Sequence, residues 1–164
     1  GPEVIATGQA LPRDPTENEM SDGKHLAFLK AMVPGSPPML VVNPAVMFDG
    51  EEAEAASLAD GARTAENGLP NGFYIRDLDP ATVTLPISPS ASVELIARAA
   101  DGGLSGDPLK TSVETLTGWF AGTPISGTLL FTMDATRLLE SGGPPMDITT
   151  ANGIITRIVE HYLP

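Results

Sequence analysis

Apolar and polar residues alternate most cleanly at the middle of the chain. Val83, Leu85 and Ile87 share one face there, while Thr82, Thr84 and Pro86 share the other. That period of two predicts a β-strand over Thr82–Ile87, because successive side chains of a strand point to opposite faces. Ser92–Ala97 extends the pattern with Val93 and Leu95. Pro86 predicts an edge or a break, since it has no N–H for a sheet ladder. Upstream, Lys24–Val33 and Pro38–Phe48 are two strand-like runs separated by Pro34-Gly35-Ser36-Pro37, a turn signal. Asn43-Pro44 interrupts the second run and predicts a bulge or a strand end there.

Helical spacing appears in two places. Asp49 can cap a helix whose third position is Glu52, in the manner of a capping box. Glu51, Glu52 and Glu54 suit the positive end of that helix, and Gly61 is its expected stop. A second helix is predicted from Leu109, Val113, Leu116 and Phe120. Asp107-Pro108, or Thr111 with Glu114, can start it, and Gly122 can end it. Trp119 and Phe120 near its end are expected in the core.

Between these elements, Glu66–Gly72 is a turn cluster, and Gly72–Leu78 reads as a strand joined to the next at Asp79-Pro80. Thr128–Asp134 is a further strand candidate and Ala135–Glu140 a helical turn. Met146–Leu163 contains Asn152-Gly153 between two β-like runs. This is the strongest hairpin signal in the chain, because a type I′ turn needs positive φ at both central residues. Beyond the turn, Ile154, Thr156, Ile158, Glu160 and Tyr162 lie on one face. Ile155, Arg157, Val159, His161 and Leu163 lie on the other. Both faces carry apolar residues, so the strand is expected to be central in its sheet. Together these elements predict an α+β fold: a mostly antiparallel curved sheet, or a small open barrel, with two packed helices.

The chain of 164 residues suits one domain with a buried core. Residues 1–23 differ: five acids face only Arg13, and prolines and glycines break any regular element. They read as a flexible acidic leader or tether before a single globular domain over 24–164. The opening Gly1-Pro2 resembles the residues left when a protease removes a tag, so an export signal, if the native protein has one, would have been trimmed upstream of it. The net charge of −12 repels phosphate backbones and anionic membranes, so nucleic acid is not an expected partner. No cysteine is present, which excludes disulfides, thiolate nucleophiles and Cys-based metal sites. No run is long and apolar enough to span a membrane, so a membrane would be met only through an N-terminal anchor.

The block NPAVMFDGEEAEAASLADG…LPNGFYIRDLDPATVTLPIS, with the ending DITTANGIITRIVEHYLP, resembles small exported or lipid-anchored proteins of Gram-positive bacteria, especially actinobacteria. Members of that group carry D-P-A-x-W-L-T-G-E-E-A, then P-N-x-Y-Y-I-R-N-x-N-P, then G-x-V-x-R-I-E-E-Q-Y-x-P. The resemblance covers about half the chain. Asn43 stands where the group usually has Asp, Val46-Met47 replaces a polar-then-Trp pair, and His161 stands at the Gln. The resemblance implies an extracytoplasmic setting and a shared fold, and it carries over no catalytic residue.

Candidate chemistry is sparse. His25 and His161 are the only histidines, and a metal site on them would need converging carboxylates. Gly103-Leu104-Ser105-Gly106-Asp107 misses the last glycine of a nucleophile elbow. Gly106–Thr111 lacks the glycine before Lys110 that a phosphate-binding loop requires. Asp77-x-Asp79 begins like a calcium loop, but Ala81 and a missing glycine end the match. Tyr74 and Arg76 share one strand face and offer interface chemistry beside the acids Glu51 and Glu54. The expected function is a non-catalytic extracytoplasmic binding module, monomeric and without cofactor or metal, for an envelope protein or a small ligand. The alternatives are a hydrolase with a carboxylate or His25/His161 site, and a purely structural envelope protein.

Overall fold

Asn152 and Gly153 stand at φ 54° and φ 76°, the left-handed pair a type I′ turn requires. They join β7 (Pro145–Ala151) to β8 (Ile154–Glu160) as an antiparallel hairpin, as the sequence predicts. The computed structural model describes residues 22–60, 73–76 and 82–162, with the backbone alone at 48–50 and 73–76. The leader before residue 22, the Glu66–Gly72 turn, the Gly61 helix stop, Asp77-x-Asp79 and the Asp79-Pro80 connection lie outside these residues.

The remaining elements are β1 (Gly23–Val33), β2 (Met39–Pro44), β3 (Val46–Asp49), α1 (Gly50–Ala59), β4 (Phe73–Arg76), β5 (Val83–Leu95), β6 (Leu109–Thr111), α2 (Val113–Phe120) and α3 (Ala135–Glu140). The main sheet runs β2-β1-β7-β8-β5-β6, and β2 also pairs with β5. That second pairing closes β1, β2, β5, β8 and β7 into a five-stranded barrel, leaving β6 as an extra strand. Every pairing is antiparallel except β5 with β8. The molecule is therefore α+β with a small mixed barrel, closed rather than open and carrying three helices. Closure removes the exposed edges that an open sheet would leave on β2 and β5.

Inward-facing side chains fill the barrel. Ala27 and Leu29 of β1, Leu40 and Val42 of β2, Val93 and Leu95 of β5, Met146 and Ile148 of β7, and Ile155 and Ile158 of β8 have no exposed surface. β8 lies between β7 and β5, as its two apolar faces predict. A register shift opposite Thr149 and Thr150 explains how Ile155 and Ile158, three apart, both face inward. The extra residue of a bulge moves the alternation from odd to even positions. Glu160 then falls on the inward face, opposite Met146.

β5 runs through Pro86 and Pro89 as one strand, without the break that Pro86 could have made. The Ile87 N–H donates to Pro38 O on the β2 side. Neighbouring amides point in opposite directions along a strand. The nitrogen of Pro86 therefore points away from β2, and pairing with β8 begins only at Ile87, so no ladder bond is lost.

The expected break at Asn43-Pro44 is present: β2 ends at Pro44, and β3 turns away to pair with β4 in a separate two-stranded sheet. α1 follows directly, placing Asp49 just before its first residue and Glu51 and Glu52 in its first turn. Ala53 and Ala56 form a small buried cluster with Val46.

α2 starts later than its periodicity predicts. Leu109 belongs to β6, which pairs with Val93–Leu95, and Ser112 caps the helix by accepting from Thr115 N–H. The cap wins because Ser112 satisfies an N–H that would otherwise have no partner. At the other end Gly122, at φ 112°, closes a Schellman motif, with Gly122 N–H on Trp119 O and Thr123 N–H on Gly118 O. Trp119 is fully buried and packs edge-on against Phe120 and Phe131, with centroids 5.0 and 4.7 Å apart.

The predicted strand at Thr128–Asp134 does not form. Only Thr128 makes a bridge, to Ala97. The segment folds on itself instead: Ile125 N–H donates to Phe131 O, and the Thr128 hydroxyl donates to Ile125 O. Its apolar residues reach the core through this tight loop, not through a ladder. Asp134 caps α3, accepting from Arg137 N–H.

Candidate functional site

The parallel ends of β5 and β8 bring Ile96 beside Glu160. The Ile96 N–H donates to Glu160 Oε1 at 2.8 Å. Glu160 is only 6% exposed, and its other oxygen, Oε2, is buried and accepts from no group among the described residues. Burial pushes the carboxyl up from 4.5 to about 7, and the Ile96 hydrogen bond opposes that rise. The cause lies in the register: Glu160 continues the inward-facing row of β8, so the strand carries its carboxylate into an apolar end of the barrel.

A pocket of about 190 Å³ opens there, lined by Ile96, Leu129, Leu130, Pro145, Glu160, His161 and Tyr162. Leu129 and Leu130 come from the Thr128–Asp134 segment, a loop that the sequence reads as a strand. That loop is held over the barrel end by Leu129 N–H on Ile96 O and by Arg98 on Leu129 O. Tyr162, half exposed, stands at the chain's exit from the barrel. His161 Nδ1 lies 3.0 Å from Asp147 Oδ2, on the opposite strand face from Glu160. The pair fixes the imidazole orientation at the rim. The pocket thus combines apolar walls, one buried carboxyl and an oriented histidine at its edge.

His25 is not part of this arrangement. It sits on β1 opposite Ile148, three residues farther along β7 than Pro145, to which His161 N–H bonds. That separation is about 10 Å at ~3.4 Å per residue. The two histidines therefore do not converge. Glu51 and Glu54 are exposed on α1, and Tyr74 and Arg76 occupy alternate positions of β4, where Arg76 pairs with Val46 and Tyr74 with Phe48. The side chains of Tyr74 and Arg76 lie outside the described residues.

A larger cleft, of about 790 Å³, lies between the β1–β2 turn at Pro34–Pro38, Pro89–Ala91 of β5, and α2. Its size suits a ligand, but its walls are prolines, small residues and hydroxyls, with Glu114 its one ionisable group. It offers no buried polar group in need of a partner, so the smaller pocket is the better candidate despite its size. Sequence reading places Glu160 on a strand face without singling it out. The available signal was a carboxylate in an otherwise apolar inward row.

No helix among the described residues is long and apolar enough to cross a membrane. No family model, curated protein or solved structure matches the chain.

Proposed function

We propose that the protein is a non-catalytic binding module working outside the cytoplasm, and that it takes a small ligand in the pocket beside Glu160. The observation that carries this reading is the second carboxyl oxygen of Glu160, buried at the pocket and without a donor among the described residues. A buried polar atom left unpaired costs about 1–3 kcal/mol, and a ligand donor would recover that cost. The extracytoplasmic setting rests on the resemblance to exported and lipid-anchored proteins of Gram-positive bacteria.

The test is a fragment screen on the whole chain by protein-observed NMR, alongside a panel of ester, amide and glycoside substrates. Binding that shifts Leu129, Leu130 and Tyr162 resonances, with no turnover, supports the reading. Turnover abolished by Glu160→Gln overturns it. Fractionation of the producing cells tests the compartment, and recovery in the cytoplasm would count against the envelope assignment.

One observation favours a hydrolase as the second reading. Asp147 orients His161 through Nδ1, leaving Nε2 as the nitrogen for proton transfer, and a carboxyl titrating near neutrality lies in the same pocket. The binding reading is preferred because the Glu160 carboxyl is buried and held by Ile96, while His161 is paired with Asp147 at the pocket edge.

A further inference from the structure

We propose that the Glu160 pocket is a site for a small primary alkylammonium ion, its N–H donors on Glu160 Oε2 and its alkyl chain between Leu129, Leu130 and Pro145. This deepens the binding reading above and rests on it. Glu160 Oε1 is already held by Ile96 N–H, so the carboxyl is aimed before any ligand arrives. Oε2 has free acceptor capacity in a site that water reaches poorly. An ionised carboxylate there needs donors, preferably charged ones.

The surroundings exclude other classes. Among the described residues neither Lys nor Arg lines the pocket, so an anionic ligand would meet a carboxylate with no cation there to offset it. A hard metal ion wants several oxygen ligands, and Glu160 is the one carboxylate among the lining residues. The apolar walls suit methylene groups. The volume of about 190 Å³ holds roughly six water-sized groups at ~30 Å³ each, which fits a chain of four or five carbons with its nitrogen. The chain's net charge of −12 also raises the local concentration of cations.

The charged and titratable groups facing the site are few. Asp147 of β7 pairs with His161 at the rim, and Tyr162 is at the mouth. Arg98 reaches the covering loop from outside, donating to Leu129 O and Gly102 O. With Glu160 titrating near 7, ammonium binding should strengthen between pH 6 and 8, by up to about tenfold per unit below the carboxyl's own value. The amine stays protonated throughout, as a lysine side chain does.

The experiment is NMR titration of the whole chain with n-butylammonium, n-butanol, butyrate and N-methylacetamide, at pH 6 and pH 8, for wild type and Glu160→Gln. Gln keeps the shape and the Ile96 bond, so the variant should fold, and its backbone spectrum checks that. Butylammonium is expected to bind the wild type more tightly at pH 8. It should bind about tenfold or more weakly to Glu160→Gln, because a hydrogen bond to a charged group is worth that much in an equilibrium constant. Equal binding to the variant, or N-methylacetamide binding as tightly as the amine, overturns the ammonium assignment and leaves the binding module standing. If no probe moves Leu129, Leu130 or Tyr162, both readings fall.

Discussion

The backbone N–H of Ile96 and the Oε1 atom of Glu160 lie 2.8 Å apart, tying the residue just past β5 to the last residue of β8. These strands run parallel, so their ends arrive at the same end of the barrel. A carboxylate is thereby held where the inward row of β8 meets the covering loop. It carries one satisfied and one unsatisfied oxygen.

The first prediction concerns pH. Glu160 has a folded value raised from 4.5 to about 7, so the folded state binds the proton more tightly than the unfolded state. Its favourable contribution is complete below about pH 4.5 and is lost as pH rises through 7. The raised value corresponds to roughly 3 kcal/mol as an upper bound, and solvent at the pocket mouth reduces it. Glu160→Gln should therefore raise Tm relative to wild type at pH 8 to 9 and change it little at pH 5. Thermal unfolding by circular dichroism at both pH values checks this. A Tm difference independent of pH would show that Glu160 is ionised throughout.

Gly143 is the position where a side chain is least tolerable. It stands at φ 87°, and a Cβ there would collide with the carbonyl oxygen of Leu29 in β1. The backbone cannot retreat easily, because Leu29 N–H donates to Pro144 O and Gly143 N–H to Leu138 O. Gly143→Ala should cost about 3 kcal/mol or more, combining a left-handed strain with overpacking. Denaturant melts measure it. A loss below about 1 kcal/mol would mean that the α3–β7 connection moves freely away from β1.

The hairpin turn offers a milder contrast. Gly153 has φ 76° but open space where a Cβ would stand, so Gly153→Ala should cost only about 1 kcal/mol, from φ alone. Asn152→Gly, at φ 54°, should be within about 0.5 kcal/mol of wild type, since glycine adopts that region freely. Comparing the two by urea denaturation separates conformational strain from lost contacts.

Trp119 is both packed and hydrogen-bonded, its Nε1–H donating to Met133 O at 3.0 Å. Trp119→Phe keeps most of the apolar contact with Phe131 but frees the Met133 carbonyl, which lies beside an exposed side chain where water can serve it. The expected loss is about 1–2 kcal/mol, against about 3–5 kcal/mol for Trp119→Ala. Equal losses would place the energy in the hydrogen bond and not in the ring.

The elements legible in the sequence are those whose signal is local. Asn152-Gly153 demands a tight turn through its own dihedrals, and Gly122 marks a helix end through its own hydrogen bonds, whereas the helix starts at the Ser112 cap and not at Asp107-Pro108 or Thr111. The sequence reads Thr128–Asp134 as a strand because a short apolar run such as Leu129-Leu130-Phe131 shows that a segment is buried, not that it has a ladder partner. Leu109 was misread because helical spacing continues one turn upstream of the Ser112 cap into β6.

The pattern of apolar positions by itself determined a β-rich α+β chain with a central final strand, because period and capping act within a few residues. Barrel closure was decided only in three dimensions. It depends on β2 meeting β5 after a long excursion through β3, α1 and β4, and no local preference encodes that meeting. The Glu160 pocket likewise required the tertiary structure. The bulge turns Glu160 inward, the parallel pairing brings Ile96 to it, and the folded loop supplies Leu129 and Leu130. A carboxylate becomes a candidate site only when its neighbours remove water from it, and those neighbours come from across the chain.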